Sequence, residues 1–163
     1  AERVMQRLLI KEAVKRELLV ACIPRIGTTM EALKVEELDN QLKNIGNYRG
    51  AILSNQTSIL FSSEPDISLI DKQGIPAGVI EIKGGTDPAG ALERYGAAKK
   101  SFESTLKEAP EAKTILVASC ITPEAEERIK QDQTITVFFN LTQIIKEKGK
   151  YYELFEFVFS LLQ

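Results

Sequence analysis

The sequence contains no histidine. That absence removes Ser-His-Asp and Cys-His catalysis, His-ligated zinc and the His-metal nuclease motifs, all of which need an imidazole. Carboxylate, lysine, hydroxyl and bound metal are left to carry any chemistry. Cysteine is nearly as scarce, with two in 163 residues. Cys22 and Cys120 both lie in apolar surroundings, Leu-Val-Ala-Cys-Ile and Val-Ala-Ser-Cys-Ile, and read as buried thiols acting as small hydrophobes. With no disulfide scaffold, an intracellular, reducing, cytoplasmic setting is expected. No apolar run reaches the roughly 18–20 residues that a membrane span needs. The longest candidate, Leu154 to Leu162, is interrupted by Glu156 and Ser160, so no membrane partner is expected. Repeats, low-complexity tracts and obvious linkers are missing as well. Nor is there an excess of positive charge: the formal net charge is −2. This argues against a protein that coats nucleic acid by charge alone. An acidic chain can still act on DNA if its basic groups cluster and its carboxylates bind divalent ions.

The length fits one domain over residues 1–163, with 44% hydrophobic and 27% charged residues, as in ordinary globular proteins. Ala1-Glu2-Arg3 leads into an amphipathic pattern and not into a signal peptide. The missing initiator Met points to processing or to excision from a longer chain. Val4, Leu8, Ala13, Val14, Leu18 and Leu19 predict a helix over residues 2–21, closed by Pro24. A second helix is expected from Thr28 or Thr29 to about Asn44, closing at Gly46. Short β-rich runs follow at 48–54, 57–63, 66–71 and 77–83. Asp87 and Pro88 suit the start of a long helix ending near Glu108. The apolar run 114–121 reads as a buried, parallel strand. A short helix from Thr122-Pro123-Glu124, a strand over 134–140 and a largely helical tail complete the order. A mixed α/β (α+β) architecture follows: a central mixed sheet with an antiparallel meander, flanked by helices. The aromatic tail Tyr151 to Phe159 is expected to pack on the sheet, and any exposed part of it would offer a homodimer surface.

Within that order, Glu64-Pro65-Asp66 heads one strand and Glu81-Ile82-Lys83-Gly84-Gly85 closes the next. Glu81 and Lys83 are two apart and share a face, while Ile80 and Ile82 point the other way. Pairing Ile70 with Ala77 sets Asp66 opposite Glu81 on that same face. A slip of one residue would turn Asp66 toward Ile80 and Ile82 and dissolve the constellation. Two carboxylates and an amine on one face are costly to bury unless a cation joins them. Asp66 and Glu81 would then hold Mg²⁺ through hard oxygen ligands, with the Ile82 carbonyl and waters completing the shell. Lys83 either orients the attacking water or binds the scissile phosphate.

Glu31, projected onto the stripe of Val35, Leu38, Leu42 and Ile45, falls in its middle and is a further candidate ligand. Its alternative is solvent, favouring the helix dipole. On the long helix, Leu92, Tyr95, Ala98, Phe102 and Leu106 form the expected buried face. Lys99, and less directly Arg94 and Lys100, are candidates for binding DNA phosphates; a solvated surface role is the alternative for all three. Gly84-Gly85 permits close backbone approach or serves as a plain strand-to-helix turn, and matches no nucleotide-binding fingerprint.

With Pro65-Asp66 and Glu81-Ile82-Lys83 in its motif positions, residues 28–121 resemble the PD-(D/E)XK nuclease superfamily. The segment from Glu81 to Phe102, with Gly-Gly-Thr-Asp-Pro-Ala-Gly, is similar to type II restriction endonucleases of the XcyI branch. The resemblance implies a restriction-endonuclease-like core and hydrolysis of double-stranded DNA with Mg²⁺, or Mn²⁺ in its place. It also implies Asp66 and Glu81 as metal ligands, Lys83 as the catalytic lysine, an extra helical Glu supplied by Glu31, and a prokaryotic restriction-modification setting. The chain departs from such enzymes in being short, acidic and without a visible target-reading region. A non-catalytic nuclease-fold module and a resolvase or repair nuclease are the competing readings.

Overall fold

The computed structural model describes residues 1–163 and centres on a seven-stranded sheet whose spatial order follows the chain. β1 (Leu19–Pro24), β2 (Tyr48–Leu53), β3 (Ser58–Phe61), β4 (Ile67–Ile70) and β5 (Pro76–Lys83) pair antiparallel as a meander. β6 (Lys113–Ala118) and β7 (Val137–Asn140) then join in parallel, each reached through a helix. A parallel neighbour cannot be reached by a tight turn, so α3 (Ala91–Glu108) and α4 (Pro123–Gln131) are the crossovers. The mixed sheet with its meander and flanking helices is the restriction-endonuclease-like core that the element order implies.

The sheet buries both faces. On one, Ile67, Leu69, Ile80 and Ile82 join a core with Met5 and Leu9 of α1 (Glu2–Lys15) and Phe155 of α6 (Lys148–Leu161). α5 (Leu141–Lys146) adds Ile144 to that core. On the other face Val79 and Leu116 pack against Ala98 and Phe102 of α3 and Ile129 of α4. Phe102 and Phe155 are fully buried, and truncating either to alanine costs roughly 3–5 kcal/mol. Leu154, Phe155, Val158 and Phe159 of the aromatic tail are buried as expected, while Tyr152 stays 66% exposed. Of the two cysteines, Cys22 is buried but Cys120 is only half-buried.

Two early elements differ from the sequence expectation. The first helix stops at Lys15, and residues 19–24 form β1 instead of its last turns. Glu17 takes a left-handed φ of 58°; its N–H donates to Val14 and the N–H of Leu18 to Ala13. This closes the helix in a Schellman motif. The apolar run Leu18 to Ile23 gains more by pairing along β2 than by one further helical turn, so sheet formation overrides the period-3.6 pattern. The expected second helix also shrinks. Residues 25–34 are loop, Val35–Glu37 is a single 3-10 turn, and α2 covers only Leu38–Leu42. Glu31 is captured by the free edge of β1, exchanging backbone hydrogen bonds with Cys22 at 2.8 and 3.1 Å. Leu42 and Ile45 of the expected stripe are buried, but Val35 is 71% exposed.

A non-glycine residue in the left-handed region costs roughly 1 kcal/mol. Glu17 is exposed, so Glu17→Gly is expected to raise the urea midpoint, corresponding to about 0.5–1 kcal/mol of added stability.

Candidate active site

β4 and β5 bring the two motif carboxylates together. The ladder pairs Ile67 with Ile80, Ser68 with Val79 and Leu69 with Gly78, and one step further sets Asp66 opposite Glu81. An irregularity follows at Ile70, which pairs with Pro76 and not with Ala77, so the hairpin loop absorbs it without disturbing the site. The register is held by Ile67, Leu69, Ile80 and Ile82, all buried on the opposite face.

Asp66 and Glu81 are only 5% and 2% exposed. Asp66 Oδ2 accepts from the Ile82 N–H at 2.7 Å, which fixes its carboxylate at the head of β4. Glu81 Oε2 accepts from Lys83 Nζ at 2.8 Å, and Oε1 from Ser101 Oγ at 2.6 Å. Ser101 is itself buried on α3, on the face that Glu81 shares with Val79. Sequence reasoning missed this serine. Its one available signal was its place beside Phe102 on the inward face of the long helix.

The charges at this point do not balance. Burial pushes the Asp66 carboxyl up to about 6. The Ile82 N–H opposes that rise, the negative charges of Glu81 and Glu2 add to it, and Lys83 opposes it. Burial pulls Lys83 down, but its hydrogen bond to Glu81 and the charges of Glu81, Asp66 and Glu2 outweigh burial. The net shift is upward, so Lys83 rests as an ammonium. Glu2, at the start of α1, is therefore close enough for its charge to be felt by both Asp66 and Lys83. It does not join them in a cluster of three metal-ligating side chains. Sequence analysis passed over Glu2 because nothing local links the first turn of α1 to the end of β5.

Gly84-Gly85 serves close approach. A Cβ on Gly84 would stand 2.6 Å from the Ala1 side chain, and one on Gly85 would stand 2.6 Å from Arg94 Nη1. Arg94 lies over this turn, donating from Nη2 to the Asp87 carbonyl while its Nε is buried without an acceptor. Arg94 and Lys83 line the same small cavity.

The remaining candidates lie elsewhere. Lys99 pairs with Asp132 at 3.3 Å, and Asp132 also accepts from Tyr95 and Thr134. Lys100 is exposed on α3 and enters no ion pair. Glu31 does not sit on a helix, and it does not meet Asp66. It is exposed and bridged to β1, with β2, β3 and β4 between that strand and β5. Its neighbours there are the Cys22 thiol and the Tyr48 phenol. The helical stripe that aimed it inward does not form, because the β1 edge takes its backbone. The largest cavity, ≈ 830 Å³, lies at the other end of α1 beside Glu12, Arg16 and Tyr151. The carboxylate pair instead sits near the N-terminal end of α1.

The fold is a mixed α/β core of the restriction-endonuclease-like kind. The model of the XcyI restriction endonuclease family matches residues 25–162, and the chain belongs to that family. No curated protein and no solved structure matches it significantly. Restriction endonucleases cleave DNA, so the family gives the coarse activity. No helix is long and apolar enough to cross a membrane.

Two measurements in chelator probe this electrostatics directly. Asp66 titrates higher in the folded protein, about 6, than its ordinary 3.8. The folded state therefore holds the proton longer than the unfolded chain, and the contribution of Asp66 to stability is full below about pH 4 and declines as pH rises through 6. Asp66→Asn keeps an acceptor for the Ile82 N–H and removes the charge. It is expected to be more stable than wild type at pH 8, by on the order of 2 kcal/mol, with the gap closing below pH 4 in thermal melts. Ser101→Ala leaves a buried carboxylate oxygen without its donor and should lower stability by roughly 1–3 kcal/mol in urea titrations.

Proposed function

We propose that this chain is a divalent-metal-dependent endodeoxyribonuclease of restriction type, with Asp66, Glu81 and Lys83 as its catalytic residues. The carrying observation is the opposed pair of buried carboxylates served by a single ammonium. Both donors are hard oxygens, each with lone pairs to spare beyond its present hydrogen bond, and the local charge is negative. That donor set fits Mg²⁺, or Mn²⁺ in its place. The Ile82 carbonyl is a third donor: in a strand it leaves on the same side as its own N–H, which is bonded to Asp66. Glu2 adds negative charge from α1. Glu31 is left out of this ligand set.

A bound ion supplies positive charge beside the scissile phosphate and acidifies a water in its shell. The protein's own groups do the positioning. The Ile82 N–H holds Asp66, and Ser101 and Lys83 hold the two oxygens of Glu81, so neither carboxylate has to reorganise when substrate arrives. Lys83, kept protonated by its neighbours, favours a role in binding the phosphate and stabilising its developing charge over one as a resting base. Arg94, at the Gly84-Gly85 turn, is the second cation beside Lys83. Lys99, engaged by Asp132, is less available for phosphate than Lys100.

The test is plasmid incubation with Mg²⁺, Mn²⁺ or EDTA. Cleavage is expected only with metal. Asp66→Ala, Glu81→Ala and Lys83→Ala should each lower the rate by at least two orders of magnitude. Defined ends on run-off mapping support restriction, and scattered ends a repair-type nuclease. A folded protein that binds DNA but cuts in no metal would make the chain a binding module and overturn the proposal.

A further inference from the structure

Four arginines meet at one corner of the molecule, and none takes part in an ion pair. Arg7 Nε donates to the Leu42 carbonyl at 2.9 Å, and Arg25 Nε to the Gly46 carbonyl at 3.0 Å. Arg25 Nη2 reaches the Tyr48 carbonyl at 3.2 Å, and Arg49 Nε the Pro24 carbonyl at 3.3 Å. The Arg3 guanidinium lies over Gly46, 3.3 Å from where a Cβ would stand. All four gather around the turn from Leu42 to Tyr48. A guanidinium carries five donors, so one or two backbone bonds leave most of each fork free. Arg3, Arg25 and Arg49 are exposed. In a chain of net charge −2, a local surplus of uncompensated guanidinium groups is not an average property of the surface.

The corner and the carboxylate pair occupy the same end of the sheet. Gly50 pairs with Leu60, Phe61 with Ile67, and the Ser62 N–H donates to the Asp66 carbonyl. Continued two steps on the β2–β3 ladder and one step on the next two, the register sets Tyr48, Ser62, Asp66 and Glu81 in one row across β2 to β5. Neighbouring strands are about 4.8 Å apart, so β2 lies roughly 14 Å from β5. That is about four base pairs of duplex at ~3.4 Å each. α1 links the two places. Glu2 acts on Asp66 and Lys83, while the next residue, Arg3, lies over Gly46. The loop that follows β1 leaves the same corner and exposes Ile26 to 92% and Met30 to 46%. Glu31 is the one carboxylate lining the groove between that loop and the turn.

We propose that this arginine corner is the surface on which duplex DNA is held by its phosphates, with the loop of residues 25–34 lying along the groove beside it. Repeated planar forks with no carboxylate partner, clustered at the same end of the sheet as the carboxylate pair, match a polymer of phosphates. The loop supplies apolar and hydroxyl groups of the kind that contact base edges, and it is the target-reading segment that the linear sequence did not reveal. The inference rests on the nuclease reading for its orientation but is tested without cleavage.

Binding of a fluorescein-labelled duplex is followed by anisotropy with Ca²⁺ in place of Mg²⁺, between about 50 and 200 mM salt. Arg3→Ala, Arg25→Gln and Arg49→Gln should each weaken binding several-fold for all sequences and reduce the salt slope by about one. Arg3 makes no hydrogen bond, so its variant separates binding from folding. A double Lys146→Gln, Lys148→Gln variant removes charge beside the far end of α1, about 20 Å away by helix rise, and should change neither quantity. Unchanged slopes in folded arginine variants overturn the proposal, as does an equal loss in the lysine control. If cleavage fails in every metal while the arginine slopes persist, the nuclease reading falls and this surface stands. If cleavage proceeds and the slopes do not move, the reverse holds.

Discussion

Uncompensated negative charge between β4 and β5 is the constraint around which the centre of this protein is arranged. Asp66 and Glu81 face each other almost fully buried, and the one ammonium beside them, Lys83, pairs with Glu81 alone. Burying a charge without a partner is among the costliest things a fold can do. The structure limits that cost by hydrogen bonds: Ile82 N–H to one carboxylate, Ser101 and Lys83 to the other. It does not remove it, and the elevated Asp66 carboxyl is the residue of strain that remains. A fold selected for stability alone would pair each carboxylate with its own cation or place an apolar pair here. The divalent-metal site proposed above accounts for why this one does not.

Register is what makes the constraint possible. Ile67, Leu69, Ile80 and Ile82 bury on one face of the hairpin, and their alternation forces Asp66, Glu81 and Lys83 onto the other. β6 then pairs in parallel with β5 along its whole length, setting Glu81 beside Leu116 and Lys83 beside Ala118. β5 therefore has strands on both sides and helices on both faces, and its backbone has little freedom to shift. The irregularity between Leu69 and Ile70 is pushed to the loop end of the hairpin, away from the carboxylates.

The parts legible in the sequence are those decided locally. The period-2 pattern of 66–71 and 77–83 gives both strands and the register that sets Asp66 opposite Glu81, though not the partner of Ile70, and Asp87-Pro88 marks the entry to α3, where Asp87 accepts from the Ala89 N–H. The illegible parts are decided by tertiary competition. Leu19 fits a helix stripe, yet the free edge of β2 claims it for β1. Glu31 fits a helix face, yet the other edge of β1 claims its backbone. Both errors have one origin: a strand of six residues that was read as the end of a helix hid two pairing edges. Glu2, Ser101 and the arginine corner were invisible for a different reason, since each matters only through neighbours distant in the chain.

The position of α1 ties these threads together. Its N-cap Ala1 packs on Gly84, Glu2 adds charge to the carboxylate pair, and Arg3 lies over the Leu42–Tyr48 turn. Three consecutive residues thus link the end of β5, the carboxylate pair and the basic corner. Met5, Leu9, Ile10 and Ala13 hold the helix rigidly against the sheet, so its N-terminus is a fixed strut between the two regions and not a loose end. Meanwhile the largest cavity of the molecule lies at the opposite end of the same helix. A small substrate favours an enclosed cavity. A long polyanion cannot be enclosed, and needs an open edge with its charges lined up beside it. With the carboxylates and the arginines that form no ion pair at one end and the largest cavity at the other, the layout suits the polymer substrate proposed above better than a small one.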